Sequence, residues 1–270
     1  MKRGFIGAIS NYKGGTGKTV TSVNLSASLS IKNKKVLLID NDPQSDSTRA
    51  AIQDQTMVDA CMYDLLDPNS KAPSVEECIY PTIHKNLDIL PNISETSGLE
   101  IPLSMKFPES NYFMREAIYE YATANYDYIF IDCPPTLSVF VSNALYCSDF
   151  VMIPMTAGSG NSLEGIRGVL DLMQAVKEGG NKNLKFLKIL INKIDRRKSA
   201  HKANIYNAER RFGVDNIFNS TIPTSSDFET IEALKGTTIF SYATRSKGAA
   251  AFRKLSAEFL TFFEAARKNS

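Results

Sequence analysis

The chain has 270 residues, of which 43% are hydrophobic and 22% are charged, so a large core in one or two domains is possible. Its 31 basic and 29 acidic residues leave a net charge of only +2, so the overall charge identifies no partner and any basic surface must be local. The four cysteines form no Cys-x-x-Cys pair, which argues against a zinc site and favours reduced, mostly buried thiols in the cytoplasm. No run of about 18 apolar residues occurs, which argues against a membrane span.

The N-terminal part of the chain combines two short apolar runs with a glycine-rich loop. Residues 5–9 predict a buried strand, and residues 18–31 have the apolar spacing of a helix. The apolar run from Val36 to Ile39 predicts a second buried strand, which ends at Asp40. Residues 45–110 are less regular: prolines interrupt short helix-like pieces, and one strand is predicted at residues 87–90.

Regular alternation of helices and strands returns after residue 110. We predict helices near residues 111–124, 138–147, 162–178, 198–212, 227–234 and 247–267, and strands near residues 128–132, 150–153, 186–191 and 217–222. Such alternation predicts an α/β fold with a doubly wound, mostly parallel sheet and helices on both faces. We expect residues 1–270 to form a single domain without a separate N-terminal DNA-binding domain, because the first strand begins within a few residues of the start.

The glycine-rich loop between the first strand and the first helix reads Lys13-Gly14-Gly15-Thr16-Gly17-Lys18-Thr19. A loop of this kind points backbone N–H groups inward at a helix N-terminus and so makes a cradle for phosphate. We expect Lys18 to reach the β and γ oxygens of ATP and Thr19 to offer its hydroxyl to Mg²⁺. The loop departs from the strict Gly-x-x-x-x-Gly-Lys-Thr pattern because position 12 is tyrosine and a second lysine, Lys13, opens it. We therefore predict a P-loop NTPase that binds Mg-ATP through residues 13–19 and the adjoining Val20.

Acidic residues end two of the predicted strands. Asp132 follows a run of four apolar residues, as a Walker B aspartate does, and would hold Mg²⁺ through water. Asp40 and Asp42 lie at the end of the strand that begins at Val36. Because the carboxyl ends of parallel strands meet at one edge of a sheet, we expect these carboxylates to face the same crevice as the loop.

These segments resemble those of the ParA/Soj-type partition ATPases in the ParA–MinD group. The resemblance rests on the loop from Lys13 to Thr19, on Asp40-Asn41-Asp42-Pro43-Gln44 and on Asp132-Cys133-Pro134-Pro135, and it covers about residues 3–264. The C-terminal half agrees through Ile222-Pro223, then Gly236, Ile239 and Tyr242, and then Ser246-Lys247-Gly248-Ala249.

The resemblance implies roles for individual residues. Lys13 is similar to the lysine that reaches across an ATP-bound sandwich dimer to the partner's phosphates, and Asp42, with Asp40 as the competing candidate, would orient the attacking water. Asn192 and Pro223 would frame the adenine. The catalytic residues implied are thus Lys13, Lys18 and Asp42, and the metal site implied is formed by Thr19 and, through water, Asp132.

The resemblance also implies a biological cycle. ATPases of this kind form homodimers on ATP, bind DNA without sequence preference, and release it after a ParB-like adaptor on the cargo stimulates hydrolysis. The cargo implied is a plasmid, a chromosome or a protein assembly, and the location implied is the nucleoid within the cytoplasm.

A local basic segment supports DNA binding independently of the resemblance. Residues 193–211 contain seven basic and two acidic residues, and seven minus two gives +5 in a chain whose total is +2. Such a patch favours a polyanion through counterion release, although a solvated helix face has the same composition. After Pro223, where some family members carry arginines that touch DNA, this chain has Thr224-Ser225-Ser226-Asp227. The DNA-binding candidates are Arg196, Arg197, Lys198, Lys202, Arg210 and Arg211.

Two other classes share the loop. A MinD-like membrane-associated positioning ATPase would end in a basic amphipathic helix, and Phe252, Leu255, Phe259, Phe262 and Phe263 do form a helical stripe. Because Glu258 and Glu264 interrupt the basic face, we expect a helix that packs on the core and no membrane partner. An iron-protein-like reductase would need cysteines in glycine-flanked loops suited to a cluster, and neither Cys133 nor Cys147 lies in one.

Overall fold

A computed structural model describes residues 3–69, 71–159 and 162–268 of the chain. Within these residues eight strands form one sheet in the order β3-β4-β2-β5-β1-β6-β7-β8. The strands are β1 (Phe5–Ile9), β2 (Val36–Asp40), β3 (Tyr80–Pro81), β4 (Leu87–Leu90), β5 (Tyr128–Asp132), β6 (Phe150–Thr156), β7 (Lys185–Ile194) and β8 (Ile217–Pro223). Every neighbouring pair is parallel except the short edge pair β3–β4, so the predicted mostly parallel sheet is confirmed.

The register of the central strands brings the predicted acidic residues together. Strand β5 lies between β1 and β2, and Asp132 pairs with Ile9 on one side and with Asp40 on the other. Every residue of β2 and β5 is buried, which explains why both read as unbroken apolar runs rather than as alternating patterns. The phosphate loop, Asp40 and Asp132 therefore share the carboxyl edge of the sheet.

Helices cover both faces of the sheet. They are α1 (Lys18–Ile31), α2 (Asp46–Ala51), α3 (Met62–Leu66), α4 (Glu100–Met105), α5 (Phe113–Asn125), α6 (Val139–Cys147), α7 (Ser162–Gly179), α8 (Ser199–Phe212), α9 (Ser226–Glu232), α10 (Ile239–Tyr242) and α11 (Lys247–Lys268). Buried side chains of α5, α6 and α7 form one core cluster with the sheet, and those of α1, α9, α10 and α11 form a second. This two-sided arrangement confirms the predicted doubly wound α/β fold.

Helix α11 packs its aromatic stripe into the second core cluster. Phe252, Leu255 and Phe259 are fully buried, and Phe263 is nearly so. The carboxylate of Glu258 accepts hydrogen bonds from the backbone N–H groups of Asn219 and Ser220, both at 2.8 Å, so this acidic residue ties the helix to the edge strand β8. The expectation of a core-packing helix is confirmed, and the stripe that a membrane-binding helix would offer to lipid lies inside the protein.

Two further observations concern the alternatives considered from the sequence. No helix in the described part of the chain is both long enough and apolar enough to cross a bilayer. The four cysteines are free and buried, and the described residues contain no cluster of three or more metal-ligating side chains. The expectation of buried free thiols is confirmed.

Candidate active site

The phosphate loop has the backbone conformation that an anion cradle requires. Gly15 and Gly17 adopt positive φ angles of 72° and 84°, which favour glycine, and a Cβ atom at Gly14 or Gly15 would meet nothing within 4 Å. Helix α1 starts at Lys18 without a side-chain cap and without an acidic residue in its first turn. Its N-terminal N–H groups and the positive end of its dipole are therefore free to bind an anionic ligand, and the loop fits a nucleoside triphosphate.

Lys18 is almost entirely buried beneath this loop. Its Nζ donates a hydrogen bond to the carbonyl oxygen of Lys13 at 3.3 Å. Burial lowers the pKa of Lys18, and the nearby carboxylates of Asp132 and Asp42 oppose that shift. A buried ammonium group with a single hydrogen-bond partner among the described residues is well suited to a polyanionic ligand.

Asp132 lies fully buried below the first turn of α1. Its carboxylate accepts hydrogen bonds from the hydroxyl groups of Ser22 at 3.0 Å, Ser47 at 2.7 Å and Thr19. Burial raises the pKa of Asp132 to about 6, and these hydroxyl donors limit the rise. The structure brings Thr19 and Asp132 into contact, and it adds Ser22 and Ser47, which the sequence did not indicate.

Asp40 and Asp42 occupy different environments although they are two residues apart. Asp40 is fully buried: one oxygen accepts from the N–H and hydroxyl of Thr48 at 2.7 and 2.6 Å, and the other accepts from the Asp42 N–H at 3.2 Å. Burial, with the Asp132 charge adding to it, raises the pKa of Asp40 to about 7. Asp42 is 8% exposed and accepts one hydrogen bond, from the Gln44 N–H at 3.0 Å. Asp40 therefore holds the loop that presents Asp42.

Lys13 rests on helix α7 of its own chain. Its Nζ lies 3.5 Å from a carboxylate oxygen of Glu164 and 5.1 Å from the centre of the Tyr12 ring. Two glycines of α7 make room for this arrangement: a Cβ at Gly165 would lie 2.9 Å from Lys13 Cγ, and a Cβ at Gly168 would lie 2.4 Å from the Tyr12 ring. Glu164 is a third site residue, after Ser22 and Ser47, that the sequence did not indicate.

Asn192 reaches the phosphate loop from β7. Its Nδ2 donates to the carbonyl oxygens of Thr16 and Gly17 at 2.9 and 3.3 Å and to the hydroxyl of Thr21 at 3.0 Å. Its Oδ1 is buried and has no hydrogen-bond partner within the described part of the chain. The structure thus places Asn192 at the loop, whereas Pro223 lies half-buried at the end of β8.

Comparison with known proteins identifies the family. A family model described as an AAA domain matches residues 5–186. The sporulation initiation inhibitor protein Soj of Bacillus subtilis is 34% identical over 255 residues, which cover 94% of this chain and 98% of Soj. The chain belongs to the ParA/Soj family of P-loop ATPases.

Solved structures agree with this assignment. A plasmid partition protein from Borrelia burgdorferi is 27% identical, with a TM-score of 0.66 over 86% of this chain and 97% of that one. Cobyrinic acid a,c-diamide synthase from Mycobacterium smegmatis, solved with ADP and magnesium, is 24% identical and has a TM-score of 0.82 over 98% and 97% of the two chains, and it shares the fold. As a member of its family the chain is an ATP hydrolase, and P-loop ATPases act on ATP bound to Mg²⁺.

The basic segment of this ParA/Soj ATPase forms an exposed surface. The side chains on that surface come from the loop after β7 and from α8, and they are Arg196, Arg197, Lys198, Lys202, Arg210 and Arg211. Arg197 pairs with Asp195 through two hydrogen bonds of 3.0 Å, and these bonds lower the pKa of Asp195 to about 2. The buried His201 accepts the Asp195 N–H at Nδ1, 3.0 Å away, so the loop is fixed to the start of α8.

A groove of about 930 Å³ extends this basic surface to helix α11. Its lining includes Arg196 and Arg197 from the loop after β7, Lys247 and Lys254 from α11, and Pro223 from β8. Four basic residues and Asp195 leave a local charge of +3. Lys254 lies outside the segment that the sequence pointed to, because only the packing of α11 against β8 brings it there.

Proposed function

We propose that this ParA/Soj ATPase forms a homodimer on ATP, binds DNA without sequence preference, and hydrolyses ATP when a ParB-like adaptor stimulates it. The cycle would position a plasmid, a chromosome or a protein assembly on the nucleoid in the cytoplasm. The observation on which the DNA step rests is the set of six exposed basic side chains on one loop and one helix, joined by Lys247 and Lys254.

The nucleotide roles follow from the burial of each group. Lys18 would bind the β and γ phosphates, because its buried ammonium lies within the loop that the glycines shape. Thr19 would ligate Mg²⁺, which neutralises phosphate charge in P-loop ATPases, and Asp132 would hold the ion through water. Ser22 and Ser47 keep the Asp132 carboxylate oriented toward that site.

Asp42 is the better of the two candidates for orienting the attacking water. Both oxygens of Asp40 already accept hydrogen bonds from the protein, and the group is fully buried. Asp42 retains solvent access and accepts a single hydrogen bond, so it can accept another from water.

Lys13 would act in the dimer, where it reaches the partner's phosphates. In the single chain its ammonium pairs with Glu164 and lies near the Tyr12 ring, and both charged side chains are partly exposed. An exposed ion pair contributes about 0 to 1 kcal/mol, so a triphosphate can displace Glu164 without a large penalty. Asn192 and Pro223 would frame the adenine, and the unpartnered Oδ1 of Asn192 is an acceptor that matches an adenine amino group.

DNA binding is tested by removing charge from the basic surface. We expect Arg196→Ala, Arg197→Ala, Arg210→Ala and Arg211→Ala together to weaken ATP-dependent binding to random-sequence duplex uniformly across sequences. Each lost phosphate contact lowers the slope of log affinity against log salt by about 0.9. ATP hydrolysis without DNA should stay near the parent rate, because none of the four arginines is assigned to the nucleotide site.

The matched control removes four lysines from the loops that precede β2 and β4, in the half of the sheet away from β8: Lys32, Lys34, Lys35 and Lys85. It changes the net charge by the same amount, so a general loss of charge would weaken both variants equally. Equal binding by the arginine variant and the parent would refute the assignment of the DNA surface. Failure of the parent to bind duplex with ATP would refute DNA binding itself.

A further inference from the structure

The hydrogen bonds of Asn192 point to the phosphate loop and the start of α1. Contact with an adenine base does not account for them. The residue is 3% exposed near the end of β7, and β6 separates β7 from the strand β1 that carries the phosphate loop. Its carboxamide nevertheless spans that gap and donates to three acceptors, two of which are backbone carbonyls of the loop. The donating end of the side chain is therefore committed to the loop before any base is bound.

The contact with Gly17 is close enough to shape the loop. A Cβ atom at Gly17 would lie 2.6 Å from Asn192 Nδ2, so any side chain at this position would have to displace the amide. Gly17 also has the left-handed φ of 84° that turns the chain into α1. The Thr21 hydroxyl, which accepts from Asn192 at 3.0 Å, itself donates to the Gly17 carbonyl at 2.7 Å. Asn192, Gly17 and Thr21 thus form one closed hydrogen-bonded unit at the helix start.

We infer that Asn192 is a positioning residue for the phosphates: its amide holds the Thr16–Gly17 turn in the conformation that receives a triphosphate, whatever base is attached. This inference rests on the proposed nucleotide role of the loop and goes beyond a contact with adenine. The Asn192 side chain then contributes to binding at both ends of the nucleotide. Its Nδ2 holds the phosphate loop in place, and its Oδ1 can accept a hydrogen bond from the base. A loop braced in advance loses less conformational entropy when the phosphates bind.

A ligand without a base separates the two roles of Asn192. We would measure the affinity for Mg-tripolyphosphate by its competition with a fluorescent ATP analogue, in the parent and in Asn192→Ala. The expected result is a loss of about tenfold in affinity for tripolyphosphate. The two N–H groups of the amide would no longer hold the two loop carbonyls and Thr21, and one net hydrogen bond contributes about 2- to 12-fold. The loss for Mg-ATP should be at least as large.

The control is Asn183→Ala, which makes the same chemical change at an exposed position just before β7. It should bind both ligands like the parent. Thermal melting confirms that each variant is folded. If Asn192→Ala fails to fold, Thr21→Val takes its place. This variant removes the hydroxyl that accepts a hydrogen bond from the Asn192 amide, and it should lower the affinity for tripolyphosphate about threefold to fivefold. Thr21→Ser, which keeps the hydroxyl, should restore most of that loss.

The outcomes are distinct. Asn192→Ala that binds tripolyphosphate like the parent but loses affinity for ATP would overturn the inference, because the side chain would then contact only the base. An unchanged tripolyphosphate affinity in Thr21→Val would overturn it as well. A parent protein that binds neither ligand would instead refute the proposed nucleotide site, and the inference would fall with it.

Discussion

The replacement Asp42→Asn tests the proposed hydrolytic group with little disturbance of its loop. Asp42 accepts a hydrogen bond from the Gln44 N–H at 3.0 Å, and the side-chain oxygen of asparagine can accept the same bond. The Asp42 N–H, which donates to Asp40, belongs to the backbone and is unaffected. The variant therefore loses the negative charge and one acceptor oxygen while the contacts that position the loop remain.

The expected effect is on the chemical step. A positioned general base or water-orienting carboxylate contributes about 10²- to 10⁴-fold to the rate, which corresponds to about 3 to 5 kcal/mol of activation free energy. Ground-state binding of Mg-ATP should change much less, since Asp42 is not assigned to the phosphates or the ion. Asp42→Asn should consequently bind ATP, form the dimer and then remain in that state.

Single-turnover hydrolysis with protein in excess measures the chemical step, calorimetry measures ATP binding, and size-exclusion chromatography measures the dimer. Asp40→Asn is the comparison variant. Both oxygens of Asp40 accept hydrogen bonds, so one of them would be replaced by an amide N–H that faces a donor of Thr48 or Asp42, and the loop would be disturbed. If Asp42→Asn hydrolyses ATP within about tenfold of the parent, the reasoning is wrong and Asp40 becomes the candidate.

Three further predictions concern the ion pair, the buried carboxyl groups and the core. Glu164→Gln should raise ATP-dependent dimerisation by up to about fivefold, measured by chromatography, because it frees Lys13 from an exposed ion pair, whereas Lys13→Ala should abolish the dimer. Burial raises the pKa of Asp40 to about 7 and that of Asp132 to about 6, from the ordinary value of 3.8. Because the folded protein holds these protons more tightly than the unfolded chain, both groups stabilise the fold below about pH 4. This stabilisation is lost as the pH rises toward 7. Asp40→Asn should therefore flatten the fall in unfolding free energy from pH 4.5 to 7.5, measured by urea titration. Phe259→Ala should cost about 3 to 5 kcal/mol in the same assay, because the fully buried ring contacts four other rings.

Matched variants make these three predictions sharper. Asp171→Asn removes the same charge from a more exposed pair with Arg167 on α7 and should leave dimerisation unchanged. An equal rise in dimerisation would show that the effect of Glu164→Gln comes from the change in charge and not from the release of Lys13. An Asp40→Asn variant with the parent's pH dependence would show that this carboxyl group titrates normally. Phe262→Ala, on the same helix but only partly buried, should cost less than Phe259→Ala. Equal losses would contradict the core assignment.

Local sequence determined the elements of this protein and the chemistry at their ends. The strand at Phe5–Ile9, the helix at Lys18–Ile31 and the strand at Tyr128–Asp132 were all predicted with the bounds the structure has, because unbroken apolar runs and helical spacing report burial over a few residues. The phosphate loop and the acidic strand ends could be assigned to one crevice because parallel strands present their carboxyl ends at one edge. The antiparallel pair with β3 was missed, since two residues are too few for a periodic signal.

The tertiary structure alone decided which distant groups complete the site. Ser22 and Ser47 donate to Asp132 across 110 and 85 residues of sequence, and Asn192 reaches Gly17 across 175. These contacts depend on the strand order, which places β5 between β1 and β2 and leaves β7 within reach of the phosphate loop. A periodic pattern records which face of an element is buried, but it does not record which other element lies against that face. The residues that hold the loop and its carboxylates therefore became visible only when the sheet was assembled.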